Sequence, residues 1–254
     1  AVFGDRLMRL LLTRPMADAV VLAEQLAGQG YDVLLSPMVD IAFLTPDAAP
    51  LPAPVAYSGL AFTSANGVRA LMARCQIDAL NADQMAAWHN LTVYAVGPQT
   101  AAAARAAGFA VIHQASGDVA ALAALIGSHH DGALPVLHIA GRHRAGDLAA
   151  LLAEKQITAE RSVLYRAEAA TAFSDAAAAA LCDVEVPVDG LLLYSERSAQ
   201  IFLSLYAALP PHDAPPPKAF CLSKAIAETM RAAGFAAVAP RHADSAALLA
   251  LLAR

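Results

Sequence analysis

Residues 93–109 read VYAVGPQTAAAARAAGF, and residues 219–235 read AFCLSKAIAETMRAAGF. Each stretch opens on a short apolar, β-rich run and breaks at a turn. Each then continues as a helix-forming segment and closes on the same five residues, R-A-A-G-F. A strand, a tight turn and a helix cannot bury their own apolar faces, so two copies 126 residues apart predict a duplicated α/β chain. In the first copy Pro98 suits the opening helical turn, where its missing N–H would have had no partner, and Gly97 lets backbone pass close to a ligand. The N–H groups of Gln99 and Thr100, at the positive end of the helix dipole, then form a mouth for anions.

The same alternation runs along the chain. A buried-strand run at 10–12 meets the turn Thr13-Arg14-Pro15, then a helix over 18–27 ended by Gly28 and Gly30, then a strand at 33–35. Residues 38–44 are extended, and 46–54, with four prolines and no periodicity, mark a boundary. A strand at 60–62 leads through Thr63-Ser64, a natural N-cap, into a helix over 65–74. A polar loop containing Trp88 follows, then the 93–109 unit, a strand at 110–113, a helix over 118–126 and a polar connection over 127–134. The pattern restarts with a strand at 136–139, a turn at 141–144, a helix over 147–155 and an extended run at 162–165. Arg14 and Arg142 hold comparable places 128 residues apart, and the run 191–194 with Ser195 echoes 60–64 at an offset of 131. Most strands are followed by helices, which predicts mostly parallel sheets covered on both faces, with ligands at the carboxyl ends of the strands. If the two domains face each other, those turns line one cleft of hydroxyls, helix N-termini and a few arginines, suited to a polyanion.

Composition narrows the function. The chain has 254 residues, 58% hydrophobic and 15% charged, enough for two domains with cores of ordinary size. Net charge is −5 and the 17 Lys and Arg are scattered, which argues against nucleic acid as a partner. The uncharged span between Asp47 and Arg69 is broken by Pro50, Pro52, Pro54 and Gly59, so it is no membrane helix. Charges at Asp5, Arg6 and Arg9, with no small-residue cleavage site after an apolar run, predict no signal peptide and a cytoplasmic protein. Cys75, Cys182 and Cys221 read as reduced, buried small hydrophobes. No G-x-G-x-x-G, Walker loop or G-x-S-x-G is present, and the His129-His130 pair reads as a solvated loop rather than a metal site. Asp183 and Glu185 read as solvated surface, and no acid–base pair stands out.

The motifs L-L-T-R-P (11–15), F-T-S-A-N-G-V (62–68), V-G-P-Q-T (96–100) and V-L-Y-R-A-E (163–168), in this order and spacing, resemble the uroporphyrinogen-III synthase family. The resemblance covers essentially the whole chain from Leu10 to Leu252. It implies two doubly wound, mostly parallel-sheet α/β domains joined by a two-stranded antiparallel linker, with the active site in the cleft between. It implies a discontinuous domain one of residues 1–40 and 169–254, a domain two of 46–161, and linker strands at 39–45 and 161–168. The halves of the repeat are then shared between the domains.

The activity so implied is closure of hydroxymethylbilane, a linear tetrapyrrole with eight carboxylates, to uroporphyrinogen III, with inversion of the last pyrrole ring and loss of water. The family uses no metal or organic cofactor. An electron-rich pyrrole expels its neighbouring hydroxyl readily, and uncatalysed closure gives the wrong isomer. The protein must therefore supply chiefly a conformation, with modest proton donation. By the same resemblance Tyr165 is the proton donor, a phenol still protonated at neutral pH. Thr63, Ser64, Gly97, Thr100 and Ser195 match positions lining the cleft, and Arg14 and Arg142 are candidates for pairing with carboxylates. Ser223-Lys224-Ala225-Ile226 departs from the G-P-T-T-like turn of the family, leaving backbone amides or Lys224 to hold the ligand there. The rival reading is a two-domain α/β binder of small anions without catalysis. A monomer is expected, since no exposed apolar helix face is evident.

Overall fold

The structure, a computed structural model, describes residues 2–3, 6–130, 132, 134–142 and 146–252. Asp5, and His143 and Arg144 of the expected 141–144 turn, lie outside the described residues. The chain divides into two compact units: Ala1–Asp40 with Glu168–Arg254 as unit 1, and Ile41–Ala167 as unit 2.

Unit 1 opens with a small antiparallel hairpin, β1 (Val2–Phe3) and β2 (Arg6–Leu7), followed by β3 (Arg9–Leu12), α1 (Met16–Gly28) and β4 (Asp32–Leu35). The chain leaves along β5 (Val39–Phe43). Unit 2 runs β6 (Gly59–Phe62), α2 (Ala65–Ile77), α3 (Ala82–His89), β7 (Thr92–Ala95), α4 (Pro98–Ala106), β8 (Ile112–Gln114), α5 (Val119–His129), β9 (Val136–Gly141) and α6 (Leu148–Ala153). The return is β10 (Ala159–Ala169), and unit 1 is completed by α7 (Asp175–Leu181), β11 (Gly190–Leu193), α8 (Glu196–Ala207), β12 (Lys218–Cys221), α9 (Lys224–Ala232), β13 (Ala237–Val238) and α10 (Ser245–Leu249).

The sheet orders are β13-β12-β11-β3-β4 in unit 1 and β5-β10-β9-β6-β7-β8 in the other sheet. Within each, the pairings among β3, β4 and β6 to β13 are parallel. β5 runs antiparallel to β10, as the bonds Leu44 N–H to Leu164 O (2.8 Å) and Ala170 N–H to Met38 O (3.0 Å) require. Apart from β5 the two sheets are the same sheet, entered at different points: β11, β12, β13, β3 and β4 correspond to β6, β7, β8, β9 and β10. Unit 2 shows the doubly wound order 3-2-1-4-5 in direct sequence, and unit 1 shows it circularly permuted. The first strand of each, β11 and β6, is apolar, fully buried and central.

Four clusters form the cores. In unit 1 one sheet face carries Phe173, Phe202 and Met230, and the other Leu22, Leu26 and Leu248. In unit 2 the faces carry Leu71, Trp88 and Ala104, and Leu122, Ile126 and Leu152. Each fully buried leucine contributes about 2 kcal/mol of apolar transfer.

Helix ends follow local chemistry. Ser64, Asp118, Asp147, Ser174, Ser195, Ser223 and Asp244 cap their helices by accepting a backbone N–H, each stabilising by about 1 kcal/mol. The repeated R-A-A-G-F is a Schellman stop. Gly108 and Gly234 sit at φ +90° and +89°. Phe109 N–H bonds Ala104 O (3.2 Å) and Phe235 N–H bonds Met230 O (3.1 Å), so both phenylalanines fold back into the cores.

Three local expectations are corrected. Trp88 lies not in a polar loop but on helix α3, started by a capping box in which Asn81 and Gln84 bond each other's backbone N–H at 3.0 Å, and its ring is buried. α5 continues through His129, so the connection after it starts later than residue 127. Gly141 belongs to strand β9 rather than to the turn after it. The proline-rich stretch packs on unit 2 through Ala49 and Leu51, and Arg74 Nη1 donates to Ala49 O. Cys75 and Cys221 are buried, and burial pushes their thiols up to about 11 and about 12; Cys182 is half-buried, and all three are free. No helix among the described residues is long and apolar enough to cross a membrane.

Candidate active site

In unit 2 the chain order reverses between β6 and β9, which opens a crevice at the carboxyl ends of these strands. β6 ends at Phe62, and Thr63 and Ser64 turn the chain into α2, with Ser64 Oγ accepting Asn66 N–H at 3.2 Å. β9 reaches two residues further, so that Gly141 lies beside β10.

The β9–β10 register then shifts. Val163 faces Ala140, but Tyr165, not Leu164, faces Gly141. This one-residue bulge re-aims the strand, and Arg142 N–H bonds Tyr165 O at 2.8 Å beyond it. The Tyr165 ring lies directly on Gly141, where an added Cβ would stand 2.7 Å from a ring carbon. No other residue type fits there without moving the ring.

Tyr165 is 9% exposed. Burial raises its phenol pKa, opposed by a hydrogen bond with the Ser64 side chain, one with the Gly141 backbone and the charge of Arg161. The group therefore carries its proton at neutral pH.

Beneath this lip is a cavity of about 160 Å³ lined by Thr63, Ser64, His138, Asp147, Arg161 and Tyr165 among others. His138 is 8% exposed, and its Nε2 lies 3.2 Å from Thr63 Oγ1. Burial, then the Arg161 charge, lower its pKa to about 4 against the pull of Asp147, so the imidazole is neutral. Arg161 Nη2 donates to Gly141 O and, at 3.2 Å, to Arg142 O.

Of the residues singled out from sequence, Tyr165, Thr63 and Ser64 meet in this cavity. Arg142 takes part in the bulge through its backbone while its side chain is exposed. Gly97 is buried in extended backbone before α4, with Pro98 at the first helical position. Thr100 faces inward from α4 at 4% exposure; its counterpart Ile226 on α9 is buried to 3%. The position where the second turn departs from the family is thus a core position in both units. Ser223 caps α9 and Lys224 beside it is exposed. In unit 1 Ser195 caps α8, accepting Ser198 N–H at 3.1 Å. Arg14 there has its guanidinium carbon 4.4 Å from the Tyr194 ring centre, and its Nη2 meets Asp18 at 3.4 Å.

His138 and Arg161 were not singled out from sequence, and Gly141 only as part of a strand-end turn. Their signal is visible only after the two copies are aligned by sheet register. In unit 1 the row across the three strands reads Leu192–Leu12–Leu35. The equivalent row in unit 2 reads Ala61–His138–Arg161.

A family model described as uroporphyrinogen-III synthase HemD matches residues 20–250. No curated protein sequence matches the chain significantly. Among solved structures, the fold is similar to uroporphyrinogen-III synthetase from Helicobacter pylori 26695, with 17% identity and a TM-score of 0.64 over 97% of this chain and 99% of that one. It is also similar to a mutant uroporphyrinogen III synthase from the extremely thermophilic bacterium Thermus thermophilus, with 16% identity and a TM-score of 0.53 over 97% and 98% of the two chains. At such identities these two likenesses concern the fold.

Proposed function

This chain belongs to the uroporphyrinogen-III synthase family, and we propose that it closes hydroxymethylbilane to uroporphyrinogen III through the phenol of Tyr165. The family match over residues 20–250 is the observation that carries the reaction; the geometry around Gly141 supports the role of Tyr165. The substrate's terminal pyrrole nitrogen pushes out the adjacent hydroxyl, which leaves as water after taking a proton. Tyr165, kept protonated by burial and held against Ser64, is the donor in this reading. The exposed methylene carbon attacks the α-carbon of the last ring that already bears its bridge, giving a spiro intermediate. That bridge bond then breaks and re-forms at the free α-carbon of the same ring, which loses its proton as aromaticity returns and restores the phenol. The larger part of the work is conformational: the last ring must be held so that its substituted α-carbon is the one attacked, an orientation effect with little demand on side-chain chemistry.

Carboxylates of the substrate are taken at strand-end turns: Thr63, Ser64, Gly97, Thr100 and Arg142 on unit 2, and Arg14, Ser195, Ser223 and Lys224 on unit 1. Thr100, being buried, acts through its backbone N–H in the first turn of α4. Lys224, exposed beside the Ser223 cap, supplies charge where the family turn is altered. Three free cysteines fit a reducing cytoplasm, and the reading takes the protein as a monomer without a metal or organic cofactor. Chromatography of the isomer formed from hydroxymethylbilane tests it. Isomer III is expected, and formation of isomer I alone, as in the absence of protein, overturns it.

A further inference from the structure

The row Ala61–His138–Arg161 begins on the fully buried strands β6 and β9 and ends half-buried on β10, and its counterpart in unit 1 is Leu192–Leu12–Leu35. Leu12 and Leu192 are fully buried, and Leu35 packs on the same core. The duplicated fold therefore closes this position with hydrocarbon alone. A buried imidazole and a guanidinium in its place are a cost to folding, since polar groups lose hydration there. The cavity adjoins this row, since His138 and Arg161 line it together with Thr63 and Tyr165.

We infer that this cavity is a carboxylate subsite in which Arg161 receives one acidic arm of the linear tetrapyrrole and Thr63, held by His138, donates a second hydrogen bond to it. The inference rests on the reading above and adds a specific pocket, with two residues not otherwise assigned, to it. Arg161 Nη2 is turned toward the carbonyls of Gly141 and Arg142, which fixes the plane of the guanidinium at the cavity wall. Arg161 lies directly opposite His138 in the ladder, and burial together with that charge keeps the imidazole neutral. A neutral imidazole can hold its proton on Nε2 and donate to Thr63 Oγ1, which turns the hydroxyl hydrogen of Thr63 toward the cavity. Asp147 shares the lining, its carboxylate accepting Ala150 N–H as the cap of α6, and beside it the pocket presents the Arg161 charge and the Thr63, Ser64 and Tyr165 hydroxyls, donors matched to a carboxylate. Because Tyr165 stands on the same cavity, an arm seated there also sets how the reacting ring meets the phenol.

The test uses full-length R161M, R161K and T63V with hydroxymethylbilane, following KM, kcat, the isomer formed and the melting temperature. R161M should raise KM roughly tenfold while kcat changes less than about threefold, R161K should recover part of this, and T63V should raise KM about threefold. Since Arg161 also holds two carbonyls, R161M is read only if it melts within a few degrees of wild type. Otherwise R161K and T63V decide. Wild-type KM in folded R161K and T63V, or a loss confined to kcat, overturns the subsite. Wild-type protein yielding isomer I alone overturns the assigned reaction instead, a separate result from the same assay.

Discussion

Units 1 and 2 share a strand order and a strand-by-strand register, yet they spend the same central positions differently. Unit 1 fills them with Leu12, Leu35 and Leu192, and unit 2 with His138, Arg161 and Ala61. Past the end of the first strand, unit 1 carries Tyr194 with Arg14 stacked on it, while unit 2 carries Thr63 over an open cavity. The difference teaches that the fold is indifferent to what occupies the switch point, provided it is filled or paired. Along this row one copy is closed hydrocarbon while the other keeps polar chemistry under its rim.

The sharpest way to break this comparison is to exchange its central residue. Leu12→His should destabilise unit 1 by about 4 kcal/mol, since it replaces packed hydrocarbon with a buried imidazole that has no Thr63 or equivalent beside it. His138→Leu should shift stability by less than about 1 kcal/mol, because the duplicate shows that leucine suits the position. Urea denaturation measures both, and equal losses would mean that the two rows are not equivalent.

Acid sensitivity sharpens it next. His138 has an unfolded pKa of 6.5 and a folded pKa of about 4. Between these values the unfolded chain binds the extra proton, so stability is full above pH 6.5 and falls as pH drops toward 4, by about 3 kcal/mol in all. His138→Leu should flatten that part of the stability–pH curve. An unchanged curve would show that the acid-labile group lies elsewhere.

Exchanging the two tyrosines comes third. Tyr165→Phe should slow uroporphyrinogen III formation about 100-fold, equivalent to about 2.7 kcal/mol, with melting temperature preserved. Tyr194→Phe should stay within a few-fold of wild type in the same stopped assay. Unchanged turnover in Tyr165→Phe removes the phenol from the mechanism.

The smallest effect is expected at the equivalent core positions of α4 and α9. Ile226→Thr, which makes the second turn more like the family, should cost about 2 kcal/mol in a buried site and bring no gain in kcat/KM. A gain would mean that this position meets the substrate after all.

Much of this architecture was legible in the sequence because its central strands are apolar runs bounded by turns and capped helices. The repeated R-A-A-G-F was a Schellman stop before it was seen as one, since only glycine is at ease in the left-handed backbone before the returning phenylalanine. Helix α3 escaped because its outer face is polar and short, although N-A-D-Q carries the capping box in plain view. The cavity was harder to read. A fully buried strand such as β9 has no alternation of polar and apolar residues, so nothing local says which way His138 points. Arg161 faces His138 only through the ladder, and Tyr165 faces Gly141 only through a bulge at Leu164. Register is a property of paired strands, and no single stretch of chain contains it.

The interleaving of the copies has a consequence during synthesis. Unit 2 is one continuous stretch, Ile41–Ala167, and can close as soon as it leaves the ribosome. Leu12, made before it, pairs with Leu192, made long after. At the usual pace of translation the leucine-rich opening strand waits roughly ten to forty seconds for that neighbour. A strand made early is thus covered late, and a nascent chain of this design depends on keeping those leucines out of trouble until β11 arrives.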